Sequence, residues 1–403
     1  MKKDFHGYYS LSEEQFSELW EKCIFVFDTN VLLNLYRYPE EARNDFINIL
    51  KEIPDRVWIP YQVALEYQEN RLSVIAEQIK LFEDVKKILK ESQTTLTGSI
   101  SKLHLEKRHS SIKPKEMLDK LSKLYTKFIG QLELLEGVQP DVFEDDVIRN
   151  QIDALFEEKV GKPPQSKDEL AKIYEQGQIR YKERRPPGYM DVVKGNETAD
   201  GVTTYHKGDL AFKKEYGDLL IWFQIIEECK QKQIKYVVFV TDDDKEDWWW
   251  CADSRGNKKI GPRPELMEEI SMKAGTSLFY MYNSEHFLEL AKKYFGAKID
   301  KKTLDQIRDI IRTNRANRRR RLTPEQMQEV EEMIEWFYEN YEDPANGVPY
   351  ESAEGGYQYV FGGPYDAREE LEAQFPDAET NEIDEALEKI EAEGTEWVKT
   401  GQY

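Results

Sequence analysis

Cysteine is scarce in this chain: three in 403 residues, Cys23, Cys229 and Cys251, far apart and without a CxxC pair. That excludes a disulfide framework and a thiolate zinc site, and the three are expected to be buried thiols. Histidine is nearly as scarce. The five present (His6, His104, His109, His206, His286) show no metal-ligand spacing, and the chain has neither HExxH nor a Ser/His/Asp order. Unbroken apolar runs such as Cys23 to Phe27 and Tyr236 to Val240 fall far short of the roughly 20 residues a membrane span needs. A transmembrane protein is therefore not expected. Residues 1 to 10 hold two lysines but no apolar core, so no secretory signal is expected either and the protein is expected to be cytoplasmic. No internal repeat is evident.

A surplus of basic residues is also missing, with 57 Lys and Arg against 78 Asp and Glu, a net of -21. The figure misleads until it is divided. From Leu322 to Tyr403 there are 23 acidic and 3 basic residues (Arg368, Lys389, Lys399), which leaves residues 1 to 321 with 54 basic against 55 acidic. The body is balanced and the excess acid belongs to a C-terminal appendage, so the net charge does not exclude a polyanionic partner. At roughly 100 to 200 residues per domain the length allows two or three domains.

What is present reads first as alternating strands and helices. Cys23 to Phe27 (CIFVF) is a continuous β-favouring run of the kind a buried parallel strand shows, and Asp28-Thr29-Asn30 ends it. A helix is expected around Val31 to Leu50, then a short run Arg56 to Ile59. Pro60 suits the first turn of a helix carrying Glu66 and Tyr67. Late in the chain Asp218 to Lys230 reads as an apolar helix and Tyr236 to Val240 as a second buried strand, ended by Thr241-Asp242-Asp243-Asp244. Between them, from about 70 to 182, lies a polar insertion. Its Met117, Leu121, Leu124, Phe128, Leu132 and Leu135 recur at helical spacing and suggest half of a helical hairpin. Asp191 to Asp209 is expected as loop.

Arg308, Arg312, Arg315, Arg318, Arg319, Arg320 and Arg321 make an arginine-rich segment just before the acidic appendage. It reads either as a solvated or internally paired helix face or as a phosphate-contacting patch. The expected organisation is a body over 1 to 300, an arginine-rich connecting helix over 301 to 321, and a small acidic α+β module over 322 to 403. In that module Thr323-Pro324-Glu325 starts a helix and Tyr357 to Phe361 is a short strand.

Two buried parallel strands that both end in aspartate place Asp28 and Asp242 to Asp244 in one crevice, because ligands of open α/β sheets bind at the carboxyl ends of the strands. Glu66 and Asp218, near the starts of two helices, can join them. Carboxylates gathered at one place repel one another unless a cation sits among them, and hard oxygen donors without Cys or His point to Mg2+ or Mn2+. Each aspartate taken alone more often serves as a helix cap or turn residue.

Together, FVFDTNVLLNLYRY (Phe25 to Tyr38), PYQVALEY (Pro60 to Tyr67), RPPGYMD (Arg185 to Asp191), YGDLLIW (Tyr216 to Trp222) and FVTDDDKEDWW (Phe239 to Trp249) resemble the PIN-like nuclease domains, in a bacterial branch with a large helical insertion. The resemblance covers the body and not the appendage. It implies a Rossmann-like α/β fold with a parallel sheet, and a Mg2+- or Mn2+-dependent hydrolysis of nucleic acid, with RNA favoured over DNA. It further implies Asp28, Glu66, Asp218 and Asp243 as metal-binding acids of the cleavage site. The family's spacing after the threonine favours Asp243 over Asp242, which stays a candidate ligand, and Asp247 is a further acid. Asn30 and Thr241 are implied to orient the first carboxylate. Lys194 joins Arg315 and Arg318 to Arg321 as a candidate nucleic-acid contact, while Asp191 has no assigned role. A bacterial defence or toxin setting fits such a branch, and a homo-oligomer or partner protein could use the insertion or the appendage. A haloacid-dehalogenase-type phosphatase is disfavoured, since Asn30 stands where its second aspartate is needed. A non-catalytic interaction module is the remaining alternative.

Overall fold

Residues 1, 5–104, 111–143, 145–195, 203–253, 257–319, 324–341, 347–351 and 357–361, with single positions between 371 and 386, are described by a computed structural model. The chain divides into two compact units, Met1–Arg308 and Asp309–Tyr403.

The first unit opens with α1 (Glu13–Lys22), started by a reciprocal Ser12/Gln15 capping box. Strand β1 (Ile24–Phe27) follows, and Asp28 ends it by capping α2 (Thr29–Asn34). The one helix expected from Val31 to Leu50 is in fact two. Pro39 disfavours helical backbone in the residue before it, and α3 (Glu40–Glu52) restarts directly after it. After β2 (Val57–Trp58), Pro60 precedes α4 (Tyr61–Lys102), 42 residues and so about 63 Å long. This helix carries Glu66 in its second turn and runs unbroken into the insertion, where it pairs with α5 (Lys115–Glu136) as a hairpin. Lys86 meets Glu136 at 2.6 Å and Gln93 meets Ser122 at 3.1 Å across it. No residue of α5 is fully buried, and Leu81, Ile88, Leu124 and Leu135 remain exposed.

The rest of the insertion is not an arm. Helices α6 (Val147–Phe156) and α7 (Lys167–Lys182) pack into the body through Ile148, Ile152, Phe156 and Leu170, because each has a buried apolar face that the hairpin lacks. The expected Asp191 to Asp209 loop holds a 3-10 turn at Tyr189–Gly195 and the start of a hairpin, β3 (Thr204–Lys207) with β4 (Leu210–Lys213), turned at Gly208 with φ +57°.

Helix α8 (Gly217–Lys232), strand β5 (Tyr236–Val240), the hairpin of β6 (Trp249–Asp253) and β7 (Asn257–Pro262), α9 (Pro264–Ala274), β8 (Leu278–Tyr282) and α10 (Ser284–Phe295) follow. The central sheet is parallel, in the order β2-β1-β5-β8, with Phe25 opposite Val57 on one side and Val238 on the other. Both faces are covered, which explains why the strands read as unbroken apolar runs. On one face Phe287 lies with its ring 5.3 to 5.9 Å from those of Phe25, Phe27, Phe46 and Trp20. On the other, Trp222 and Trp248 pack against Phe279 and Phe239. Truncating one such buried ring to Ala costs about 3–5 kcal/mol. Cys23 and Cys229 are buried, but Cys251 is partly exposed, because it lies on the outlying β6 hairpin.

Helix α11 spans Lys301–Arg319. The second unit contains α12 (Pro324–Tyr341) and an antiparallel pair, β9 (Gly347–Glu351) with β10 (Tyr357–Phe361). It has its own small core of Val330, Met333, Leu371, Ile383 and Ala386. Arg320 and Arg321 lie outside the described residues, as do the side chains of Arg315, Arg318 and Arg319. Among the described residues no helix is long and apolar enough to cross a membrane.

Candidate active site

The order of the sheet reverses between β1 and β5, so the crevice at its carboxyl edge opens there. Asp28 stands at the end of β1. Its Oδ1 accepts the Thr29 N–H at 2.7 Å, and its Oδ2 accepts from Asn30 Nδ2 at 2.5 Å and Thr241 Oγ1 at 2.6 Å. Asn30 also accepts the Asp242 N–H at 2.9 Å, so one residue from each central strand's end fixes this carboxylate. Burial pushes Asp28 up to about 7, opposed by the Thr241 hydrogen bond and reinforced by the charges of Asp243 and Glu66.

Glu66 reaches the same place from α4. Gln62 Nε2 donates to its Oε1 at 2.8 Å and Thr29 Oγ1 to its Oε2 at 2.8 Å, while burial raises its pKa. Gly217, opening α8, leaves the space it occupies: a Cβ there would stand 2.6 Å from Glu66 Oε1. Gly217→Ala is therefore expected to push the carboxylate off its two donors. Because a side-chain end moves rather than backbone, the cost in a urea melt should stay near about 1–2 kcal/mol. Divalent-metal binding by calorimetry should weaken severalfold, and unchanged binding would show that Glu66's position is unimportant.

Asp191, Asp218 and Asp243 converge on Lys245. Its Nζ lies 2.6 Å from Asp191 Oδ1, 3.0 Å from Asp243 Oδ2 and 3.3 Å from Asp218 Oδ2. Lys194 Nζ holds the other Asp191 oxygen at 2.6 Å. Trp248 Nε1 donates to Asp218 Oδ2 at 3.2 Å, and Thr241 Oγ1 accepts the Asp243 N–H at 3.0 Å, which ties this group to Asp28. Burial drives Asp218 well above the usual carboxylate range, against the pull of Lys245. Burial would raise Asp191 as well, but Lys194 and Lys245 outweigh it and hold it low. Lys245 itself is held well above its ordinary value, because the carboxylates around it overcome the burial that would lower it.

The sequence candidates thus separate. Asp28, Glu66, Asp218 and Asp243 come together, with Asn30 and Thr241 bonded to the first of them. Asp242 faces away: its Oδ2 accepts from Asn34 Nδ2 at 2.8 Å and Ser284 Oγ at 2.9 Å, and its Oδ1 accepts the Ser284 N–H at 2.9 Å. It joins β5 to the start of α10. Asp247 is fully buried, and its Oδ2 accepts the N–H groups of Gly188 and Met190 at 2.9 and 3.1 Å, which anchors the RPPGYMD segment. Among the described residues its Oδ1 has no hydrogen-bond partner, and burial pushes this acid up to about 6. Lys194 stands within the acid group. Lys245 was not singled out in the sequence, and Asp191 had no role there. The available signal was their spacing, Asp191-x-x-Lys194 and Asp243-x-Lys245, inside motifs already marked for their acids.

Every donor here is a carboxylate oxygen, and three of them already grip one cationic point. That is the chemistry a hard divalent ion requires, so the residues fit one. Among the described residues no three acids stand preassembled at ligand distance, and Lys245 contacts Asp191, Asp218 and Asp243.

An acid-lined crevice at the switch point of a parallel α/β sheet lies where open α/β domains bind their ligands. A family model described as a PIN like domain matches residues 24–266, and the chain belongs to that family, which includes metal-dependent nucleases. No curated protein and no solved structure matches the chain.

Proposed function

We propose that this protein is a cytoplasmic, metal-dependent nuclease that hydrolyses phosphodiester bonds, in RNA in preference to DNA. The observation that carries the reading is the gathering of Asp191, Asp218 and Asp243 about one cationic point, with Asp28 linked to them through Thr241. Asp28, Glu66, Asp218 and Asp243 would hold Mg2+ or Mn2+. When bound, such an ion supplies a water of lowered pKa and neutralises charge on the phosphate. The chain's own part is positional. Asn30 and Thr241 keep Asp28 turned to the crevice, Gln62 and Thr29 do the same for Glu66, and Trp248 fixes Asp218. Asp247, holding the backbone of Gly188 and Met190, sets where Asp191 and Lys194 stand.

The proposal extends to Arg315, Arg318, Arg319, Arg320 and Arg321 as phosphate contacts. It also extends to the hairpin and the second unit as surfaces for another copy or a partner protein. The preference for RNA and a defence or toxin setting follow the family resemblance. A second reading, a non-catalytic module regulated through the acidic appendage, is favoured by one observation: Lys245 neutralises the acids without help from a metal. Incubating the full chain with Mn2+ and matched single- and double-stranded RNA and DNA decides between them. Cleavage of RNA that EDTA abolishes is expected. No cleavage of any substrate would overturn the nuclease reading and leave the second one.

A further inference from the structure

Lys245 lies among the candidate metal acids and has no role in the metal-binding reading of the crevice. Its backbone is fixed by the loop itself, since its N–H donates to Asp243 Oδ1 at 3.1 Å and its carbonyl accepts the N–H groups of Trp248 and Trp249 at 3.2 Å. The flexible part is the four-carbon stem, and its ammonium occupies oxygens of Asp218 and Asp243 that are also candidate metal ligands. One oxygen cannot serve a close ammonium and a directly bound cation on the same side without the two positive charges repelling. Lys245 contacts three of the crevice's carboxylates, Asp191, Asp218 and Asp243, so the lysine also supports the fold of the crevice.

We propose that Lys245 is a tethered counter-ion that competes with the divalent cation for Asp218 and Asp243, so that metal uptake requires its ammonium to leave them. The proposal rests on the metal-binding reading of the site and goes beyond it. It makes metal affinity a difference between two cations in one place, and it assigns that difference to a single side chain. Asp191 is the natural retaining partner. Lys245 is closest to it, and its other oxygen is already held by Lys194, so the displaced ammonium keeps one carboxylate contact.

The test needs no substrate. Mn2+ is titrated calorimetrically into the full chain and into Lys245→Met, and thermal unfolding is followed with and without the metal. The variant is expected to bind Mn2+ roughly tenfold tighter or more, to melt lower in EDTA, and to gain more from Mn2+ than the wild type does. Equal or weaker affinity in the variant overturns the competition while leaving the site a metal site. Absence of Mn2+ binding by both proteins overturns the metal reading itself and this proposal with it. Should Lys245→Met not fold, the wild type carries the test through lysine acetylation read by mass spectrometry. The Lys245 side chain is 23% exposed. Saturating Mn2+ is expected to raise its acetylation rate severalfold while Lys22, far from the crevice on α1, does not change. A Lys245 rate that metal leaves unaltered overturns the proposal.

Discussion

Replacing Asp28 with Asn is expected to make the metal-free protein more stable at pH 8 and to abolish metal-dependent cleavage. Asp28 is buried with its pKa raised to about 7, so at pH 8 it is held as an anion against its surroundings. A carboxyl whose folded pKa lies above its unfolded value contributes stability that is complete below about 4 and is lost as the pH rises through about 7. Asn mimics the protonated form at every pH. The gain, about 1–3 kcal/mol in EDTA at pH 8, should therefore shrink to nothing near pH 4. Cleavage should fall by roughly 100-fold or more, because a charge facing the cation has been removed while the shape is kept. Melting curves at the two pH values and a single-turnover assay check both halves. A variant that cleaves at the wild-type rate would remove Asp28 from the site.

The second large effect lies outside the crevice. Glu269 on α9 is buried and receives Arg180 Nη1 at 2.7 Å, Arg180 Nη2 at 2.9 Å, Trp222 Nε1 at 2.9 Å and Lys273 Nζ at 2.7 Å. Burial would raise this acid, but the hydrogen bonds from Arg180 and Lys273 hold it down at about 2. Its contribution is thus present above about 4.5 and is lost as the pH falls through about 2. Glu269→Ala leaves the Arg180 guanidinium charged and unpaired in the interior, which costs about 3–5 kcal/mol at neutral pH. Arg180→Met combined with Glu269→Leu should recover most of the loss in a urea melt, since no uncompensated charge is then left. Arg185 also reaches Glu269, at 3.3 Å, and Arg180 donates to the Pro186 carbonyl, so the network holds the start of the segment that ends in Asp191. A single-mutant loss below about 1 kcal/mol would mean that water replaces the acid.

Asp28 and the aspartates after Thr241 were legible as candidates because a buried run that stops at a charged residue leaves that residue at the sheet's edge, while Glu66 and Asp218 were read from two helix starts and the resemblance. The strand end alone could not separate Asp242 from Asp243, although the spacing in the resemblance favoured Asp243. Neighbouring residues in a loop after a strand point in different directions, and only the position of Ser284, supplied by a distant helix, shows which aspartate turns away. Lys245 was hidden for an electrostatic reason. A lysine among acids in a sequence reads as solvated surface, and its burial depends on Asp191, 54 positions earlier, being brought beside it. Helical periodicity pointed to the hairpin but could not show that α4 enters it directly from the crevice, since no breaker marks the passage from Tyr67 onward.

That continuity has a geometrical consequence. Glu66 and the exposed face around Leu81 and Ile88 belong to one uninterrupted rod, so the direction in which that face points is set by the angular phase of the helix counted from the crevice. Each residue added or removed between Ile75 and Leu81 would turn everything beyond it by about 100° and shift it by about 1.5 Å, while Glu66 stayed in place. A length change of about seven residues nearly restores the bearing, being close to two whole turns. The far end thus keeps a fixed bearing on the crevice as a compass keeps north, and a one-residue deletion would aim the arm at a different quarter without touching the crevice.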